Sequence, residues 1–159
     1  MCDHGSIMPT PEVLPPVEPE DLGEEVARLF EDLDRARPLD QRLLPGAFTP
    51  TLDAVESAEA VEIVVDVPGV TPDDLRVLVR GAVVIIAGGK MPPNAEERAR
   101  ASFHLIERDF GRFARAVRLN GAFDAAAATA TLGGGELRVR VPRLAERRGR
   151  GVFIPIRRA

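Results

Sequence analysis

Residues 60–90 read AVEIVVDVPGVTPDDLRVLVRGAVVIIAGGK, and the spacing of their apolar side chains decides the fold. Val61, Ile63, Val65 and Val67 alternate with Glu62 and Asp66, and Leu75, Val77 and Val79 alternate with Arg76 and Arg80. Successive side chains of a strand point to opposite faces, so a repeat of two marks a strand with one dry face and one wet one. AVVIIAGGK, residues 82–90, is almost wholly apolar, which predicts a strand covered on both sides. Pro68-Gly69, Gly81 and Gly88-Gly89 read as the turns between these segments.

The same texture continues through FARAVRL (113–119), AAAATATL (125–132) and ELRVRVP (136–142), with Gly133–Gly135 as a further turn. AAAATA has helix-forming composition, yet its brevity and the hairpin pattern after it favour a strand. Seven or so short strands predict an all-β chain, an immunoglobulin-like antiparallel β-sandwich over residues 49–142.

Residues 1–48 form a different N-terminal arm, helical or disordered. Up to Gly46 it holds eleven Asp and Glu against four Arg. A helix is predicted over about residues 22–36, because Leu22, Val26, Leu29, Phe30 and Leu33 fall on one stripe. Asp21 with Glu24 makes a capping box, and Pro38 ends the segment. A helix of about four turns is marginal alone, so the stripe should pack on something. Self-association and binding of another polypeptide both fit. Residues 143–159 read as a flexible C-terminal tail. Arg and Gly dominate before FIPI, and residues 143–153 can extend about 35–40 Å. Ile154 and Ile156, held straight by Pro155, are the apolar end of that tether.

The chemistry-bearing residues are sparse in a chain of 159 residues, 45% hydrophobic and 29% charged. Histidine occurs only as His4 and His104, and the serines are Ser6, Ser57 and Ser102. None sits in a nucleophile context, so no enzyme is expected. No ligand cluster suggests a metal, and no cofactor is expected. In the GGKM stretch, Val84 stands where a phosphate loop needs its first glycine and Met91 where it needs Ser or Thr. Asp73-Asp74 reads as a solvated turn. There is no Trp or Tyr, and the net charge is −4, which argues against nucleic acid as the partner. Arg147, Arg148 and Arg150 could touch phosphate, but the acidic arm could equally bind them. Cys2 is the only cysteine, so no internal disulfide forms and a reducing compartment suits the chain. No run of about 18 apolar residues predicts a membrane span. The opening residues lack a basic segment followed by an apolar one, so a cytoplasmic location is expected.

Five segments in order resemble the small heat-shock protein, or alpha-crystallin, family. VDVPGVTPDDLRVLV resembles its opening strand, Pro-Gly turn and next strand, and VVIIAGGK its aliphatic strand end. FHLIERDFGRFARAVRL is similar to its Glu-Arg, Phe-Gly-x-Phe-x-Arg segment. ATLGGGEL is similar to its Ala-x-x-x-x-Gly-x-Leu signature through Ala130, Gly135 and Leu137, and IPI to its C-terminal anchor. The likeness covers about Thr49 to Ile156. Four departures stand out. Glu136 replaces a β-branched residue, and Asn120 replaces a proline. Small alanines stand at 126, 128 and 130. Ile85 occupies a position often polar in relatives, which predicts extra exposed apolar surface.

The resemblance implies an ATP-independent holdase that assembles into homo-oligomers through dimers and captures partly unfolded clients. Downstream ATP-dependent chaperones would then refold them. It implies an oligomer anchor at Ile154, Pro155 and Ile156, docking in a groove lined by Leu75, Val77, Val79, Ala126, Ala128 and Ala130. A tail folded back on its own domain is the alternative. It also implies a dimer interface at Phe103, His104, Leu105 and Ile106, with SFHLIE as an exchanged strand. Arg115 joins that interface and needs a carboxylate, Glu107 or Asp109 of either subunit. The stripe Leu22, Val26, Leu29, Phe30 and Leu33 would serve clients or self-association. A second function stays open: an adaptor of the related CS-domain type that binds one folded partner.

Overall fold

In a computed structural model, which describes residues 22–36 and 48–144 with the Ala95 side chain set aside, the alternating segments pair as two antiparallel sheets. One holds, in spatial order, β1 (Leu52–Glu56), β2 (Ala60–Asp66), β7 (Glu136–Pro142) and β6 (Thr129–Gly133). The other holds β3 (Leu75–Arg80), β4 (Val83–Lys90) and β5 (Gly111–Arg118). Two helices, α1 (Gly23–Ala36) and α2 (Ala95–Arg100), are also described.

Register explains the core. Val61, Ile63 and Val65 lie opposite Val141, Val139 and Leu137, while Val84 and Gly88 lie opposite Val117 and Phe113. Partners across an antiparallel pair share a face, and these faces meet in one apolar cluster between the sheets. Each fully buried Val or Ile there contributes roughly 1.5–3 kcal/mol gross. The hairpin from β6 to β7 turns on Gly134 and Gly135, both at positive φ (60° and 80°), the pair of conformations a type I′ two-residue turn requires.

β4 is covered on both sides. Val84 and Ile86 enter the inter-sheet core, whereas Ile85 and Ala87 face outward beneath α1. The apolar stripe of α1 is therefore seated on its own sheet: Leu22, Val26 and Leu29 pack around Ile85 and Ala116, and Leu29 and Phe30 pack beside Leu33 and Ala87. The exposed apolar surface expected at Ile85 is absent, because the helix buries that side chain to 1% exposure.

Three further sequence readings change. Gly88 and Gly89 are not a turn but part of β4. A Cβ on Gly88 would stand 2.6 Å from the Asp74 carbonyl oxygen and 2.8 Å from the Phe113 ring, so the strand passes only as glycine. Asp74 is buried rather than solvated; the short 3-10 turn Pro72–Asp74 tucks it in, and Thr71 Oγ1 donates to its Oδ2 at 2.9 Å. AAAATATL is only partly strand. Ala125–Ala127 forms a 3-10 turn whose first amides, Ala126 and Ala127, donate to Asp124 Oδ1 at 3.0 and 3.2 Å, and β6 begins at Thr129. β1 carried little alternation, and only Leu52 of its five residues is even partly buried. The capping role expected of Asp21 lies outside the described residues.

Candidate functional site

The site to build is the margin where β3 ends one sheet and β6 ends the other. The opposite margin is bridged by one hydrogen bond. Arg115 on β5 donates from Nη1 to the Pro50 carbonyl at 2.9 Å, just ahead of β1, so β5 lies beneath β1 and β3 lies beneath β6. Among the described residues β3 pairs only with β4, and β6 only with β7.

Side chains at this margin point inward yet are incompletely covered. Val77 and Val79 lie opposite Ile86 and Val84, which puts them on the core side, and both remain half-buried. Leu75, at the end nearer the Pro68-Gly69 turn, is buried. Across the margin Ala130 lies opposite Val139 and Leu132 opposite Leu137, again core-side positions. Leu132 and Ala128 are half-buried, while Ala130 is exposed. Val77, Val79, Ala128 and Leu132 all pack against the same inter-sheet core. A core-facing alanine left in the open marks missing cover. Ala126, on the 3-10 turn and exposed, is not brought to this strip. Leu132 is, although sequence reading passed over it; the alternation Ala128, Ala130, Leu132 was its signal.

The loop before β5 forms a second feature. Residues 101–110 contain no strand. Phe103, Leu105 and Ile106 are 51%, 74% and 64% exposed. His104 is exposed beside them. The base of the loop is held by cations on aromatic faces: Lys90 Nζ lies 4.7 Å from the Phe48 ring centroid and 5.6 Å from that of Phe110, and the Arg108 guanidinium lies 5.1 Å from Phe110. Arg115 does lie on the core side, opposite Ile86. Within this chain its Nη1 donates to the Pro50 carbonyl. A carbonyl at a buried residue needs a donor, and within one chain the arginine supplies it.

Among the described residues no group of three His, Cys, Asp or Glu side chains is placed to hold a metal, and no helix is long and apolar enough to cross a membrane.

The model of the Hsp20/alpha crystallin family matches residues 53–156. The chain belongs to that family. Among curated relatives, Heat shock protein 16 of Schizosaccharomyces pombe is 28% identical over 116 residues, covering 73% of this chain and 81% of the relative. Spore protein SP21 of Stigmatella aurantiaca is 34% identical over 102 residues, 64% of this chain and 59% of its own length. Among solved structures, Heat shock protein 16.0 from S. pombe superposes with a TM-score of 0.60 at 25% identity, over 84% of this chain and 93% of that one. HspA from Xanthomonas axonopodis gives 0.53 at 29%, over 60% and 94%.

As a small heat-shock protein the chain is a stress chaperone by family, and its departures from the family pattern gain meaning. Ile85 is apolar because α1 sits on it. Glu136, on the wet side of β7, accepts from Arg138 Nη2 at 2.7 Å. The anchor expected at Ile154, Pro155 and Ile156 lies outside the described residues, as do Cys2, His4 and the arginines 147, 148 and 150.

Proposed function

We propose that this chain is an ATP-independent holdase that binds partly unfolded proteins and keeps them from aggregating. It works in the cytoplasm as a homo-oligomer built from dimers. The observation that carries this reading is the half-covered strip at the β3/β6 margin, where Val77, Val79, Ala128 and Leu132 meet the core without being sealed. Ile154 and Ile156 of another copy, kept extended by Pro155, have the right chemistry to complete it. Burying two isoleucines contributes on the order of 3–6 kcal/mol gross, and immobilising a tail and a subunit costs about as much or more. One docking is therefore reversible, while many on one assembly hold through effective concentration.

The exposed Phe103, Leu105 and Ile106 suit a loop that lends a strand to a partner's sheet edge, with Arg115 beside that contact. Stress loosens the tail and arm contacts, and the vacated strip together with the α1 stripe receives clients. Apolar burial gains strength on warming over this range, so capture improves as clients fail. Refolding passes to downstream ATP-dependent chaperones. The test is light scattering from an aggregation-prone enzyme heated with and without the protein. Scattering should fall steeply at equimolar subunit without nucleotide. Unchanged scattering over several clients overturns the reading.

A further inference from the structure

The outer face of the β3–β4–β5 sheet is chemically lopsided in a way that neither the core nor the margin requires. Its floor is apolar, with Leu78, Val83, Ile85 and Ala116 packed beneath α1. Register places Arg76 and Arg80 of β3 and Arg112 and Arg118 of β5 on the same face, and no carboxylate. α1 is the complement, with five carboxylates against two arginines. Three of them reach the rim: Asp32 accepts from Arg76 at 2.6 Å, Asp34 from Arg112 at 2.9 Å, and Glu25 from Arg80. The Arg112 guanidinium also lies 5.5 Å from the Phe30 ring centroid.

Part-exposed pairs of this kind add little to fold stability. Their stronger effect is to select which helix sits on the face, because like charges are rejected. The seat is also loosely filled. Only Leu33 of α1 is fully buried, and a cleft of about 320 Å³ opens between Leu22 and Glu25 of the helix end and Arg80, Gly81, Val83 and Ile85 of the sheet. The contacts of α1 form clusters separate from the inter-sheet core, so the helix can lift away while the sandwich stays closed.

We propose that the outer face of β3–β4–β5 is a receptor for acidic amphipathic helices, occupied in the resting chain by α1 as its own ligand. When α1 leaves, the occupant it admits is an acidic amphipathic helix of another polypeptide, chosen by the arginine rim. This goes beyond the holdase reading, since the margin and the tail take no part in it.

The experiment uses the full chain on a Cys2→Ser background, with Ala87→Cys beneath α1 as the sole thiol and Ala116→Cys as a second reporter. Thiol labelling should be slow with the natural charges and at least tenfold faster with Glu25→Lys, Asp32→Lys and Asp34→Lys combined. Adding Arg76→Glu, Arg80→Glu and Arg112→Glu should bring the rate back within about twofold of the start. That recovery separates charge selection from lost helix propensity, because the lysines stay in place. A fluorescein-labelled synthetic peptide of residues 21–37 should bind the lysine-bearing full chain and not the natural one, and the same peptide with three lysines should bind neither. Labelling that ignores the reversals, a charge swap that fails to restore protection, or a natural peptide that does not bind the opened chain overturns the proposal. None of these readouts depends on chaperone activity.

Discussion

β3 borders two apolar surfaces that the chain treats in opposite ways. Outward, Leu78 joins a floor that α1 covers, with arginines paired to helix carboxylates around it. Inward, Val77 and Val79 reach a core margin that nothing among the described residues seals. The first surface has an apolar cover of opposite charge from the same chain. The second has Ala130 in the open on the core side of β6. Among the described residues the chain covers the first surface and not the second.

Adjacent isoleucines of β4 break or sharpen this contrast most strongly. Ile86 and Ile85 are equally buried, at 0% and 1% exposure, but one faces the core and the other faces α1. Ile86→Ala should lower global stability in urea by about 2–5 kcal/mol. Ile85→Ala should cost about half as much, with its effect read mainly as faster hydrogen exchange in α1. Equal losses with unchanged α1 exchange would mean that helix and sandwich form one cooperative unit, and the contrast would fail. The bridged margin comes next. Arg115→Ala leaves the Pro50 carbonyl without its donor and should cost about 1–3 kcal/mol, measured by thermal unfolding. The smallest effect concerns the lead-in to the open margin. Asp124→Ala removes the cap of the turn before β6 and should cost about 0.5–2 kcal/mol, with backbone amide shifts confined to residues near Ala128.

The sandwich was legible wherever one face of a strand is dry and the other wet. β2, β3 and β7 announce themselves through alternation, and β4 through its unbroken apolar run. β1 did not, because an edge strand with four exposed residues has no reason to alternate. The turn at Ala125–Ala127 hid inside a strand reading, since the hairpin pattern after it outweighed the helix-forming composition of its alanines and the deciding residue, Asp124, acts through a side-chain cap. Ile85 was misread for a different reason. Its environment is set by a helix some fifty residues earlier in the chain, and pairing across that distance leaves no local pattern. Within one chain Arg115 likewise reaches a backbone carbonyl 65 residues away that no side-chain inventory would suggest. At the margin, Val77, Val79, Ala128 and Leu132 pack on the core as alternation implies, while Ala126 stands on the turn.

The central claim is that the half-covered strip between β3 and β6 accepts Ile154 and Ile156 of another copy and thereby holds the assembly together. Multi-angle light scattering of the full chain, set beside Ile154→Ala/Ile156→Ala and beside Val77→Arg/Leu132→Arg, tests it from both sides of the contact. The natural chain should have the mass of many subunits, and both variants should fall to dimers while keeping their β-sheet circular dichroism. A natural chain that is monomeric, or variants whose mass matches it, would contradict the account.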